Sequence, residues 1–330
     1  MPVILVHIYG RCVFMKEKIA CIGGSTIGIG WAVLFALYDR PVHLYSPHSL
    51  PKALGRAEVC LRPLVGAGLI TEEKAARTLR NIILCPELKE AVSGARWIQE
   101  SASESYEVKE QLLSEIDAVC GADTTVASSS SGLSIAKIAA SSRFPERCIA
   151  VHPYNPVYLM PLVELAGLEG SAETLSGACA FLKEFGREPV VLKKEAPGFI
   201  ANRLQIAVQR EICHLVYTGV ADVEACDKAM QYALSPRWTA LGPMLITQLG
   251  SRDARTMIET LNPGTEVWLE DMADFKHWPK DWGEVCQQGV DAEMSRRAPE
   301  DGQTSEGLRA YRDKMLLKIL ALQGKLNLPE

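Results

Sequence analysis

Short apolar runs alternate with longer stretches of helical periodicity along the first 192 residues of the chain. Residues 25–36 and 49–79 carry the apolar spacing of helices, and further helical stretches separate most of the apolar runs. This alternation predicts a doubly wound α/β Rossmann-type fold with a mostly parallel sheet and helices on both faces. The runs that we interpret as strands are residues 18–22, 41–45, 82–84, 97–98, 125–127, 148–151, 162–163 and 189–192.

The pattern changes after Pro197, where the strand signal nearly disappears. We therefore place a domain boundary within residues 193–198. It separates a dinucleotide-binding Rossmann-like domain over residues 16–195 from a smaller all-α domain for substrate binding and dimerisation over residues 196–330. The stretches that predict long helices in the second domain are residues 202–217, 223–233 and 304–326.

The first fifteen residues are interpreted as an N-terminal extension. They begin with an apolar run but lack the basic start and the small-residue cleavage site of a secretory signal. Met15 precedes the polar residues Lys16, Glu17 and Lys18, and it is a candidate alternative start of the folded domain.

Composition and charge exclude several classes of protein. The net charge of -5 argues against nucleic acid as the main partner. The ten cysteines include no C-x-x-C pair, which favours buried thiols in a reducing compartment over disulfides or a metal site. No run reaches the roughly 20 apolar residues that span a bilayer, so we expect a cytoplasmic protein without a membrane partner.

A glycine-rich turn follows the first predicted strand. Gly23 and Gly28 fit the outer positions of the dinucleotide-binding G-x-G-x-x-G turn, while Ser25 replaces the middle glycine. The helix that begins here would offer amide donors to a pyrophosphate. A plain strand-to-helix turn is the alternative.

The second predicted strand ends at Ser46, where an enzyme that binds NAD usually has an aspartate or glutamate for the adenosine ribose. Ser46 neither repels a 2′-phosphate by charge nor binds one as an arginine would. NAD is the expected cofactor, and NADP stays open.

Two polar groups follow later strands. A serine run, Ser128 to Ser131, comes directly after residues 125–127 and is either part of a ligand site or a cap of the next helix. His152 follows another strand, and Glu164 lies in an apolar one. A lone histidine is more often a core residue, but a carboxylate in an apolar strand needs a partner. The pair therefore suggests a general base whose tautomer is held by a carboxylate.

With these motifs in place, the chain resembles the 3-hydroxyacyl-CoA dehydrogenase superfamily, and within it the branch of lambda-crystallin and L-gulonate 3-dehydrogenase. The resemblance runs from about Ile19 to the C-terminus. The segments that carry it are residues 128–131, 152–156, 161–165, 194–205 and 237–243.

The resemblance implies a role for each matching residue. His152 matches the catalytic base and Glu164 the carboxylate that orients it, whereas Ser131 and Asn202 match groups that hydrogen-bond the reacting oxygen and the substrate. The residues that match cofactor contacts are Thr26 and Ile27 in the phosphate turn, and Glu104 and Lys109 beside the nicotinamide ribose.

We therefore predict an NAD(P)-dependent dehydrogenase that oxidises the 3-hydroxyl of a small hydroxy acid such as L-gulonate. Carnitine and 3-hydroxyacyl-CoA are the alternative substrates. A repurposed scaffold that binds nicotinamide poorly is the alternative of another class, because Ser25 and Ser46 both depart from the cofactor pattern.

A homodimer is expected from the apolar helical faces after residue 198, and the resemblance implies the same assembly. The alternative is that these faces pack only on the Rossmann domain of their own chain. Apolar positions on one of these faces are Ile206, Val208, Ile212, Leu215 and Val216.

Overall fold

The computed structural model describes residues 17–329, so the predicted extension over residues 1–15 lies outside the described residues. The chain divides into two compact units. The first runs up to Phe199 and also includes the C-terminal segment from Leu320, and the second is Ile200–Ile319.

An eight-stranded sheet forms the centre of the first unit, with the strand order β3-β2-β1-β4-β5-β6-β7-β8. Every neighbouring pair is parallel except β6 and β7, which run antiparallel. The predicted mostly parallel, Rossmann-type sheet is therefore confirmed. The strands are β1 (Lys18–Ile22), β2 (Val42–Tyr45), β3 (Ile82–Cys85), β4 (Ala95–Glu100), β5 (Thr125–Ser128), β6 (Cys148–Pro153), β7 (Leu162–Ala166) and β8 (Glu188–Val191).

Helices connect most of these strands. The periodic stretch over residues 49–79 forms two helices, because Thr71 begins the second one by accepting a hydrogen bond from the Lys74 amide at 3.1 Å. The helices of this unit are α1 (Thr26–Leu37), α2 (Ala53–Gly66), α3 (Glu72–Arg80), α4 (Leu88–Val92), α5 (Tyr106–Asp117), α6 (Ile135–Ala139) and α7 (Ala172–Glu184).

Helix α1 is apolar on all sides and is buried along almost its whole length. The ring of Phe35, on this helix, packs edge-on against the ring of Phe185, with the two centroids 4.7 Å apart. Two glycines allow the close approach. A Cβ atom at Gly28 would lie 2.0 Å from the carbonyl oxygen of Gly23, and one at Gly30 would lie 2.8 Å from Cβ of Val157. The helix thus lies directly against the glycine turn and the segment after β6.

A buried arginine, Arg187, holds the backbone of the segment between β6 and β7, residues 154–161. The guanidinium of Arg187 donates to the carbonyl oxygens of Val157 at 3.2 Å and Met160 at 2.8 Å. Arg187 is only 4% exposed, so these bonds replace water that the guanidinium would otherwise bind. The backbone that links β6 to β7 is therefore held in one conformation.

The second unit contains helices and no strand among its described residues. The helix predicted to end at residue 233 continues further: α9 leads through a π-helical turn, Met230–Leu234, into α10. Pro236 is compatible with this helical path. It lies in the first turn of α10, where a backbone N–H has no partner within the helix. The helices are α8 (Ala201–Tyr217), α9 (Val223–Ala229), α10 (Ser235–Leu241), α11 (Pro243–Thr247), α12 (Ala254–Asp271), α13 (Trp282–Arg296) and α14 (Ser305–Leu322).

The cysteines of the described residues are all free thiols, and none of them forms a disulfide. Burial raises the pKa of several of these thiols, including Cys21 and Cys148 in the sheet and Cys213 in α8.

Within residues 17–329, no helix has the length and apolar character that crossing a bilayer requires.

We predict that Gly28→Ala destabilises the first unit, because the added Cβ would collide with the backbone of Gly23. Overpacking of this kind costs about 1 to 3 kcal/mol. The matched control is Gly177→Ala in α7, where a Cβ meets nothing within 4 Å. This control should gain about 0.5 to 1 kcal/mol through its better helix propensity. Urea unfolding followed by far-UV circular dichroism measures both variants, and equal midpoints would contradict the packing argument.

Candidate active site

Four neighbouring parallel strands end at the same edge of the sheet. Gly23 follows β1, Ser101 follows β4, Ser129 follows β5, and β6 ends with His152 and Pro153. The strand order reverses direction between β1 and β4, and ligands of doubly wound folds bind at such a switch point. The edge therefore brings the glycine turn, the serine run and the predicted base to one side of the unit.

His152 and Glu164 are direct cross-strand partners in the antiparallel pair of β6 and β7. Nδ1 of His152 lies 3.1 Å from Oε2 of Glu164, and the hydroxyl of Tyr154 donates to the same oxygen at 2.7 Å. Glu164 is 1% exposed. An ionised carboxylate only accepts hydrogen bonds, so Nδ1 carries the proton and Nε2 presents its lone pair.

Aromatic rings hold the imidazole from two sides. The ring of Phe199 stacks on His152 with centroids 4.7 Å apart and planes 9° from parallel, and Tyr154 meets it edge-on at 5.0 Å. Nε2 has no hydrogen-bond partner within residues 17–329. The arrangement therefore fixes the ring and leaves one nitrogen able to take a proton, as a general base requires.

The glycine turn leaves the first amides of α1 uncapped. Ser25 is the N-cap residue, but its side chain makes no capping hydrogen bond, and both Ser25 and Thr26 are exposed. Gly23 has a φ of +108°, which favours glycine, while Ile27 is half-buried and Gly28 is buried. Because the Ser25 hydroxyl makes no capping hydrogen bond, these amides keep their donors available. The turn thus fits a dinucleotide pyrophosphate.

Glu104 organises the turn that carries Ser131. Its Oε1 accepts from the hydroxyl of Ser130 at 2.6 Å and from the amides of Gly132 at 2.8 Å and Ser131 at 3.1 Å. Burial alone would raise the pKa of Glu104, but these hydrogen bonds and the charge of Lys109 hold this pKa below its usual value. The hydroxyl-bearing side of Ser131 is exposed on the turn that the carboxylate fixes.

Lys109 lies beneath this turn and not at its surface. Its side chain is 1% exposed, and its ammonium lies 2.8 Å from a carboxylate oxygen of Glu100 and 3.9 Å from one of Glu104. Glu100 also accepts a hydrogen bond from the hydroxyl of Ser128 at 2.6 Å. Lys109 therefore supports the sheet edge through Glu100 and Glu104.

Two further predicted residues are Ser46 and Asn202. Ser46 is buried at the end of β2, where its hydroxyl is 2.8 Å from that of Ser49. Asn202 is the second residue of α8, is half-buried and belongs to the second unit. Its role toward a substrate stays a prediction.

Sequence reasoning missed Tyr154, Glu100 and Phe199 as members of the site. Tyr154 lies two residues after His152 in the sequence, and this position could have indicated that it belongs to the site. Glu100 ends an apolar strand, and an acid in that position needs a partner. Nothing in the local sequence indicates that Phe199 stacks on a histidine 47 positions earlier in the chain.

A Rossmann-type unit whose glycine turn fits a dinucleotide pyrophosphate, with a histidine–carboxylate pair at the carboxyl ends of its strands, is typical of an NAD-dependent dehydrogenase. Two family models match the chain: "3-hydroxyacyl-CoA dehydrogenase, NAD binding domain" over residues 18–196 and "3-hydroxyacyl-CoA dehydrogenase, C-terminal domain" over residues 198–283. The chain belongs to the 3-hydroxyacyl-CoA dehydrogenase family. It is an NAD-dependent enzyme that acts on a 3-hydroxy substrate.

Curated relatives are similar over most of the chain. An L-carnitine dehydrogenase of Oceanobacillus iheyensis is 31% identical over 313 residues, which cover 93% of this chain and 98% of the relative. An L-carnitine dehydrogenase/betainyl-CoA thioesterase of Rhizobium meliloti is 38% identical over 316 residues, which cover 92% of this chain. The chain spans 60% of the length of that bifunctional relative.

Solved structures share the fold. The NAD+-dependent dismutase 5-formyl-3-hydroxy-2-methylpyridine 4-carboxylic acid 5-dehydrogenase is 27% identical with a TM-score of 0.75, and the match covers 94% of this chain and 99% of that one. The 3-hydroxybutyryl-CoA dehydrogenase of Escherichia coli K12 is 27% identical with a TM-score of 0.64, and covers 83% of this chain and 57% of its own.

We predict that His152→Ala lowers kcat by about 10² to 10⁴, because the proton of the substrate hydroxyl loses its acceptor. Glu164→Gln should also lower kcat, since a neutral amide stabilises the imidazolium less well. The matched control is Glu169→Gln, which changes an exposed acid shortly after β7. Steady-state kinetics together with NADH fluorescence titration test this: NADH binding should stay within about two-fold of wild type. A His152→Ala enzyme with normal turnover would refute the assignment of the base.

Proposed function

We propose that this enzyme oxidises the C3 hydroxyl of a small, free 3-hydroxy acid, with His152 as the general base. The observation that carries the proposal is the buried hydrogen bond of 3.1 Å between His152 and Glu164. Nε2 of His152 takes the hydroxyl proton, and the charge of Glu164 stabilises the imidazolium that results. NAD, when bound, supplies the acceptor for the hydride that leaves C3.

Other residues position the reactants in this proposal. The amides around Thr26 and Ile27 hold the pyrophosphate, and Ser131 and Asn202 hydrogen-bond the reacting oxygen and the substrate. Glu104 stands at the nicotinamide side of the edge and fixes the turn of Ser131. The alternative of a non-catalytic scaffold loses its support, because the chain belongs to a family of NAD-dependent dehydrogenases.

L-carnitine is the substrate that we propose, in place of L-gulonate. Relatives named L-carnitine dehydrogenase are 31% to 38% identical over more than nine tenths of this chain. A cleft of about 340 Å³ in the first unit, next to Phe199, also carries both signs of charge through Lys137 and Glu195. L-carnitine is a zwitterion with a carboxylate and a quaternary ammonium, which suits such a lining.

A substrate panel tests this choice with NAD as cofactor: L-carnitine, L-gulonate and 3-hydroxybutyryl-CoA. We expect kcat/KM to be at least about ten-fold higher for L-carnitine than for either competitor, a difference of about 1.4 kcal/mol in transition-state binding. Heat-inactivated enzyme and D-carnitine serve as controls. Preference for L-gulonate would restore the substrate expected from the lambda-crystallin branch, and preference for the thioester would place the chain with the acyl-CoA enzymes.

We also propose a homodimer formed through the helices of the second unit. Large apolar side chains are exposed there, for example Leu204 at 60%, Met244 at 68% and Trp268 at 62%. Large apolar side chains that are exposed in this number favour an interaction surface. A symmetric pair of chains would cover the same helices on each partner.

Light scattering at micromolar concentration should give twice the 36.1 kDa mass of the chain. Replacing two of the apolar residues, Leu204→Glu with Trp268→Glu, should shift the protein towards monomer, because burying unpaired carboxylates in the interface is costly. Exposed Leu54→Glu in the first unit is the matched control and should stay dimeric. A monomeric wild-type protein would contradict the proposed dimer.

A cytoplasmic location completes the proposal. Free and mostly buried thiols among the described residues support a reducing compartment.

A further inference from the structure

Two hydroxyl groups and a guanidinium meet at the glycine turn, on the side of β2. The hydroxyls of Ser46 and Ser49 are 2.8 Å apart. Both face Gly24: a Cβ atom at Gly24 would lie 2.2 Å from Oγ of Ser49 and 3.0 Å from Oγ of Ser46. The two serines therefore sit directly on the backbone of the turn that receives the dinucleotide.

Arg56 reaches the same backbone from α2. One Nη of its guanidinium donates to the carbonyl oxygen of Gly24. A guanidinium has five N–H donors, so this single bond leaves most of them available. No carboxylate lies within 4.0 Å of Arg56 in the described part of the chain, whereas Arg62 on the same helix pairs with Glu58 at 3.3 Å.

The segment that follows β2 carries positive and no negative side chains. Residues 46–57 contain no aspartate or glutamate, and they include His48, Lys52 and Arg56. In a Rossmann unit, this segment lies where the adenosine ribose binds, and an acid at its start normally accepts from the 2′-hydroxyl. Here the acid is missing, and hydroxyl and guanidinium donors stand in the same place.

We infer that Ser46, Ser49 and Arg56 bind the 2′-phosphate of NADP, so that the enzyme accepts both NADP and NAD. Serine hydroxyls donate to phosphate oxygens, and a guanidinium forms charge-assisted, often bidentate bonds with them. An aspartate at position 46 would repel the phosphate, whereas Ser46 does not. This inference rests on dinucleotide binding at the glycine turn, which the proposed function also requires.

A purely structural role for Arg56, as a brace of the Gly24 carbonyl, makes a different prediction. A brace holds the turn itself, so its loss would weaken NADH and NADPH equally. A phosphate ligand contacts only the group that distinguishes the two dinucleotides. The two roles are therefore separated by the ratio of the two affinities.

Fluorescence titration of the full-length enzyme with NADH and NADPH, at one fixed ionic strength, tests the inference. We expect NADPH to bind within about three-fold of NADH or more tightly. Arg56→Gln should weaken NADPH by about ten-fold or more and leave NADH within about two-fold, because it removes charge-assisted hydrogen bonds that only the 2′-phosphate can receive. Arg62→Gln removes one positive charge from the same helix and is the matched control, which should change neither affinity.

Ser46→Asp gives the opposite test. It should tighten NADH through the ribose hydroxyls and weaken NADPH by charge repulsion. Adenosine 2′,5′-bisphosphate and 5′-AMP, used as competitors of bound NADH, isolate the phosphate contribution without the nicotinamide, and the bisphosphate should displace NADH at the lower concentration.

The inference is overturned if wild-type NADPH binds more than about three-fold more weakly than NADH, or if Arg56→Gln does not weaken NADPH more than it weakens NADH. In either case NADH binding would still support the proposed function. Failure of both dinucleotides to bind the wild-type enzyme would overturn the cofactor site itself.

Discussion

The antiparallel pairing of β6 with β7 is the constraint on which the site depends. It makes His152 and Glu164 direct neighbours across two strands. Opposed residues in such a pair have Cβ atoms about 4.5 to 5.5 Å apart, which is within reach of a side-chain hydrogen bond. A parallel pair would have needed a crossover of a dozen or more residues between the strands. The short segment over residues 154–161 replaces that crossover and carries Tyr154, the second donor to the buried carboxylate.

The same segment links the base to the cofactor side of the unit. Val157 packs against Gly30 of α1, the helix whose first amides lie at the glycine turn. The guanidinium of Arg187 donates a hydrogen bond to the carbonyl oxygen of Val157. Helix α1, which begins at the glycine turn, and strand β6, which carries His152, are therefore packed on a common piece of backbone. The spacing between the glycine turn and His152 is thus set by the packing of buried groups.

The strands and most helices of the first unit could be predicted, because buried parallel strands are short apolar runs between polar or glycine-rich segments. The direction of β7 could not, since an apolar run reads the same in either direction. Polar ends of strands were also missed: β4 extends to Glu100, which is buried only because Lys109 and Ser128 satisfy it. These partners are distant in sequence, so local periodicity does not reveal them.

In the candidate site, too, some residues could be predicted from the sequence and others could not. His152 and Glu164 were found because a carboxylate in an apolar strand signals a partner, and the family resemblance agreed. The resemblance also implies that Lys109 lies beside the cofactor; the structure shows its ammonium buried against Glu100, and its role toward a cofactor stays a prediction. The contact of Arg56 could not be predicted from the residues at the end of β2, because it is the geometry of α2 that carries this side chain back to Gly24. No motif in the sequence identifies the substrate.

The buried thiols give this enzyme a set of internal reporters. Only the thiolate reacts with alkylating reagents, and burial keeps these groups protonated and out of contact with the reagent. Cys21 and Cys148 lie in the central strands, whereas Cys213 and Cys226 lie in helices of the second unit. Each modified peptide would therefore record, by its mass, when its own part of the fold opened. The order in which the two units open could be followed in the unaltered chain, with no label introduced.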